Sequence, residues 1–71
     1  MIKILITEFI NQNSLDNLKK KFDVKYEEKL CENKLELEKI IKEYDGLIVR
    51  NKTQVNSDIL KNASKLKFIG R

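Results

Sequence analysis

Tyr44-Asp45-Gly46-Leu47-Ile48-Val49-Arg50-Asn51-Lys52-Thr53 reads as a buried strand that empties into polar residues. The apolar run Leu47 to Val49 follows Asp45-Gly46 and breaks off in a cation and three polar side chains. A continuous apolar run suits a strand of a parallel sheet covered on both faces. Ligands of such sheets sit beyond the carboxyl ends of the strands, so the residues that end this strand, Arg50 first, are where function is to be sought.

Working outward, strand and helix signals alternate. Upstream, Leu37, Ile40, Ile41 and Tyr44 follow the i, i+3, i+4, i+7 rule and predict a helix with one apolar stripe, core rather than a partner groove, ended by Asp45-Gly46. Val24 to Tyr26 predicts a short strand, and the β-branched run Ile2 to Thr7 predicts the first one. Between them Leu15, Leu18 and Phe22 recur at helical spacing after Ser14, the expected N-cap. Downstream, Asn56 is expected to cap a short helix carrying Ile59, Leu60 and Ala63, with Asp58 in its first turn. Leu66 to Ile69 predicts the fourth strand. Strands separated by helices imply right-handed βαβ units, hence an α/β fold with a parallel sheet in βαβαβαβ order. Without repeats, low-complexity segments or a proline-rich linker, the chain reads as one domain or a piece of one. Its last strand reaches the functional end at Gly70-Arg71, with no further helix to cover that part of the sheet.

Composition narrows the chemistry. A chain of 71 residues buries only about 60% of the surface its unfolded form exposes, so low stability is expected, more so with an unpaired sheet edge. One cysteine excludes an internal disulfide, and the lack of histidine removes the usual partner of a metal, a cysteine nucleophile or a serine triad. Cys31 therefore reads as an ordinary thiol. The apolar runs are too short to span a bilayer, and Lys3 with Ile4-Leu5-Ile6 lacks the features of a signal peptide; a cytoplasmic location without membrane contact is the expectation. The net charge is +4, but acids and lysines alternate through Glu36, Glu38, Lys39, Lys42 and Glu43, and only Lys19-Lys20-Lys21 forms a basic run. These alternating charges read as solvated helix faces rather than a nucleic-acid surface. Gly46 and Gly70 are the only glycines, so no Gly-x-Gly-x-x-Gly loop and no dinucleotide site is formed within these residues.

Ile4-Leu5-Ile6-Thr7-Glu8, Tyr44 to Thr53, Val55, Leu60 and Leu66-Lys67-Phe68-Ile69-Gly70-Arg71 together resemble the start of the D-isomer-specific 2-hydroxyacid dehydrogenases, and among these the D-3-phosphoglycerate dehydrogenases. The resemblance is strongest from Tyr44 to Thr53 and in the last four residues, and weak from Asn11 to Asn33. It implies a flavodoxin-like substrate-binding domain, of which residues 1–71 are the N-terminal part, and a Rossmann NAD-binding domain that this chain lacks. The family's catalytic arginine, glutamate and histidine would then lie further on. It also implies a truncated sequence without activity by itself, and a complete enzyme that is homo-oligomeric, binds NAD and oxidises a small anionic 2-hydroxy acid, 3-phosphoglycerate of serine biosynthesis foremost.

The resemblance also assigns roles. Where relatives have Arg-Ser-x-Thr, contributing to recognition of the substrate's carboxylate or phosphate, this chain has Arg50-Asn51-Lys52-Thr53. Asn51 is bulkier than serine but can still donate a hydrogen bond. Arginine suits the task because its planar fork makes paired, charge-assisted bonds to carboxylate or phosphate oxygens. Arg71 matches a second anion-contacting arginine, giving the substrate-binding set Arg50, Asn51, Thr53 and Arg71. Thr7-Glu8 border the same crevice, where a loop or capping role is favoured over ligand contact, and Phe9 stands where relatives often have proline. The rival readings are a glycerate, hydroxypyruvate or glyoxylate reductase of the same superfamily, and a stand-alone flavodoxin-like module binding an anion or a protein. A receiver domain fits poorly, since Thr7-Glu8 and Arg50-Asn51 occupy the places of its acidic pair and phosphoacceptor.

Overall fold

Lys3–Ile6 (β1), Asp23–Tyr26 (β2), Gly46–Ile48 (β3) and Phe68–Gly70 (β4) form one sheet with all neighbours parallel, in the order β2-β1-β3-β4. The computed structural model describes residues 2–50, 52, 53, 55 and 57–70. Among the described residues, three α-helices connect the strands: Gln12–Lys21 (α1), Lys34–Ile40 (α2) and Ser57–Asn62 (α3). This is the α/β fold with a parallel sheet that the alternating pattern anticipates.

Alternation along each strand divides the core between two faces. Leu5, Leu47 and Val49 pack with Leu30, Leu37, Ile41, Tyr44 and Ile59, so α2 and α3 cover one face. Ile4 and Ile6 pack with Leu15 and the partly buried Leu18, Phe22 and Ile48, so α1 covers the other. Leu5, Ile6, Ile41, Leu47, Val49 and Ile59 are fully enclosed. The chain leaves β1 toward β2 on one side and returns to β3 on the other, which makes the β1/β3 junction the point where strand order reverses. At such a switch point the connections diverge and leave a crevice at the carboxyl ends.

Three local features differ from the sequence reading. The cap of α1 is Asn11, whose side chain accepts the Ser14 amide at 2.8 Å; Ser14 lies inside the first turn. The apolar repeat that marks this helix begins only at Leu15, which hides a polar first turn. A 3-10 helix, Glu28–Glu32, precedes α2 and buries Leu30 in the core; Asn33 then caps α2 through the Glu36 amide at 3.2 Å. The α2 segment tightens into a second 3-10 helix, Ile41–Glu43, and Asp45-Gly46 does not terminate it in a left-handed cap. Gly46 is instead the first residue of β3. Asp45 latches the starts of β1 and β3, accepting the Lys3 amide on Oδ2 at 2.9 Å and donating its own amide to the Lys3 carbonyl at 2.8 Å. The expected Asn56 cap lies outside the described residues; α3 has Asp58 in its first turn as anticipated.

Candidate functional site

β1 leads into Thr7 and Glu8, both buried, and β3 leads into Val49 and the exposed Arg50. A single carboxylate joins the two exits. Glu8 Oε2 accepts the backbone amides of Arg50 at 2.7 Å and Thr53 at 2.8 Å, and Oε1 accepts that of Lys52 at 2.9 Å. The Thr53 hydroxyl helps to stabilise the charge of this carboxylate, and its oxygen lies 2.9 Å from Thr7 Oγ1.

This arrangement determines the charge of Glu8. Burial by itself would raise the pKa, but the Thr53 hydroxyl and the amides of Arg50, Lys52 and Thr53 outweigh it and lower it from 4.5 to about 2. Glu8 is therefore ionised throughout the physiological range, and its charge is met by backbone dipoles rather than by a cation.

The Arg50 side chain stands free of this knot. Its Nη1 reaches the Phe9 carbonyl at 3.3 Å, and among the described residues it forms no ion pair. Arg50 lines a cleft of about 470 Å³ at the carboxyl ends of the strands. Glu8, Phe9, Arg50 and Lys52 form one wall of the cleft, and Glu28, Lys29, Cys31 and Glu32 the other. Tyr26 donates its hydroxyl to Glu28 at 3.3 Å. Among the described residues, three acidic and three basic side chains line it, with the Glu8 charge already satisfied by amides.

Of the residues singled out from sequence, Arg50 lines the cleft. Thr53 is buried beneath it with its hydroxyl turned inward to Thr7 and Glu8. Asn51 and Arg71 lie outside the described residues. Glu8 has the loop-holding place anticipated for Thr7-Glu8, but what it holds, three amides 42 to 45 residues away in the chain, has no local signal. Among the described residues no group of three or more His, Cys, Asp or Glu side chains is arranged to hold a metal ion, and no helix is long and apolar enough to cross a membrane.

Residues 4–71 match the model of the D-isomer specific 2-hydroxyacid dehydrogenase catalytic domain. The chain belongs to this family. Among similar 2-hydroxyacid dehydrogenase sequences, the D-3-phosphoglycerate dehydrogenase of Methanocaldococcus jannaschii is 39% identical over 71 residues, and that of Synechocystis is 37% identical over the same length. The D-3-phosphoglycerate dehydrogenase of Archaeoglobus fulgidus is 30% identical over 70 residues. The matches cover 99–100% of this chain, which spans 12–13% of the length of those relatives. A crystal structure of a protein from Pyrococcus horikoshii superposes with a TM-score of 0.84 at 31% identity, covering 97% of this chain and 20% of that one. The family is generally NAD-dependent, but the residues present do not fit a dinucleotide. Only Gly46 and Gly70 are glycines, both lie in strands, and neither belongs to a glycine-rich loop opening a helix.

Proposed function

We propose that these residues are the opening part of the substrate-binding domain of an NAD-dependent dehydrogenase of small anionic 2-hydroxy acids, D-3-phosphoglycerate foremost, with Arg50 binding the anionic end. The observation that carries this reading is the Arg50 guanidinium. It stands on a backbone pinned by Glu8, at the β1/β3 switch point, and its side chain lines the cleft with Nη1 on the Phe9 carbonyl. A planar fork so held can take two oxygens of a carboxylate or phosphate. The share of this chain in the reaction is orientation: fixing the anionic end sets the position of the carbon to be oxidised. Oxidation and the binding of NAD belong, on this reading, to residues outside this chain.

Expression with all coding sequence in frame, followed by steady-state assay with NAD and D-3-phosphoglycerate, tests the proposal. Arg50→Ala is expected to lose about 1.5–3 kcal/mol of productive binding, the range for hydrogen bonds to charged groups. An unchanged kcat/KM would overturn the assignment of Arg50. Glu28 and Glu32 on the opposite wall favour a second reading, a substrate with fewer negative charges such as glycerate, hydroxypyruvate or glyoxylate. Ranking kcat/KM for D-3-phosphoglycerate against glycerate with NAD, and for 3-phosphohydroxypyruvate against hydroxypyruvate and glyoxylate with NADH, separates the two.

A further inference from the structure

We propose that Glu8 is a positioning residue for substrate binding: its carboxylate occupies the amides that converge from Arg50, Lys52 and Thr53, and so aims the Arg50 guanidinium into the cleft. This rests on the reading of Arg50 as the anion ligand. Converging backbone amides are an anion-binding device in their own right. Here the device is filled from within, because Glu8 Oε2 and Oε1 take all three amides at 2.7–2.9 Å. An incoming carboxylate or phosphate therefore finds no open backbone donors at these positions, and a buried negative charge behind them. Among the described residues, the cations left to it are side chains lining the cleft, Arg50 with Lys29 and Lys52, and of these only the Arg50 guanidinium offers a planar fork.

The same bonds set the origin of the Arg50 side chain. The Arg50 amide itself is held, and the bonds to Lys52 and Thr53 hold the backbone on its far side. The Thr7–Thr53 hydroxyl pair ties this knot to the end of β1. Arg50 therefore leaves a backbone fixed to both central strands, and the Phe9 carbonyl steadies Nη1 without satisfying the whole fork. Removing Glu8 would free the segment and unmask its amides, so an anion could settle on the backbone instead of the guanidinium.

The test is steady-state kinetics on the polypeptide expressed with all coding sequence in frame, using NAD and whichever of D-3-phosphoglycerate or D-glycerate is turned over. Glu8→Ala is expected to raise KM about tenfold or more, with kcat changed by no more than about threefold. Glu8→Gln, whose amide oxygen can still accept at the Oε2 position, should raise KM less. Combined with Arg50→Ala, neither variant should lower kcat/KM beyond Arg50→Ala alone, because a positioning effect vanishes with the group positioned. Sodium formate, a carboxylate small enough to refill the space, should lower the KM of Glu8→Ala and leave the wild type and the double variant unchanged. Folded Glu8 variants with wild-type KM, or losses that add to that of Arg50→Ala, would overturn the proposal. If Glu8→Ala does not fold, Glu8→Gln decides by the same two criteria. A silent Arg50→Ala would instead remove the reading of Arg50 itself, whereas an impaired Arg50→Ala beside silent Glu8 variants would remove only the role of Glu8.

Discussion

Gly46 and Phe68 are register partners across β3 and β4, and the Phe68 ring lies over the glycine so closely that a Cβ at position 46 would overlap it. The ring covers the sheet face shared with Ile4, where β4 is the outer strand and Phe68 remains 42% exposed. Gly46→Ala is expected to displace the ring and cost about 1–2 kcal/mol, the lower part of the overpacking range, because an exposed ring on an outer strand can swing aside. In a Phe68→Ala background the same substitution should be nearly free. Urea unfolding of the two single variants and the double variant measures this coupling; additive losses would show that the glycine is required for some other reason.

Acid should weaken the knot at Glu8. Its folded-state pKa, about 2, lies below the ordinary 4.5, so the stability it contributes is complete above pH 4.5 and is lost as pH falls toward 2. The contribution is about 1–3 kcal/mol, allowing for solvent at the cleft edge. Asp45 is lowered as well, chiefly by the Lys3 amide, so a residual slope of the same sign persists without Glu8. The stability of Glu8→Gln should therefore fall less steeply than that of the wild type between pH 4.5 and 2. Parallel curves would show that Glu8 titrates alike in the folded and unfolded states.

These two cases mark what the sequence could disclose. Periodicity located the four strands and three α-helices, because Leu37 and Ile41, or Ile4 and Ile6, bury one face of a regular element and repeat with its period. The crevice at the end of β3 followed from the parallel sheet. Local polar roles were harder to read. Asp45-Gly46 has the composition of a helix stop, yet Asp45 serves Lys3 and Gly46 makes room for a ring 22 residues later. Glu8 is an unremarkable acid after a strand until the fold brings Arg50, Lys52 and Thr53 onto it. Thr53, matched by family pattern to the substrate set, is buried with its hydroxyl oxygen 2.9 Å from that of Thr7. Such side chain to backbone bonds over more than 40 residues leave no periodic trace.

Arg50→Lys separates charge from shape. The ammonium keeps the positive charge, but not the planar pair of donors or the simultaneous reach to the Phe9 carbonyl and the cleft. In the assay described for Arg50→Ala, Arg50→Lys should lose about 1–2 kcal/mol of kcat/KM, most of the effect of alanine, if the anion is held bidentately. Full activity in the lysine variant would mean that the cleft supplies only positive potential.

The outer edge of β4 should limit the behaviour of the 71-residue chain in solution. β4 pairs with β3 on one side, and no described strand adjoins the other; Phe68 and Ile69 are 42% and 41% exposed, and Leu60 of α3 is 50% exposed. An apolar strand edge with unpaired amides and carbonyls is a template for association with another chain. Heating this chain should give unfolding below about 60 °C, together with light scattering that grows with protein concentration. Ile69 shares its face with Leu47, its register partner, but not that residue's enclosure. Ile69→Lys should therefore suppress the scattering while changing the midpoint of urea unfolding little, by about 0.5 kcal/mol or less in stability, as for other exposed positions. If scattering is equal in Ile69→Lys and wild type, association proceeds through another surface, and the exposed Leu60 is the next position to charge.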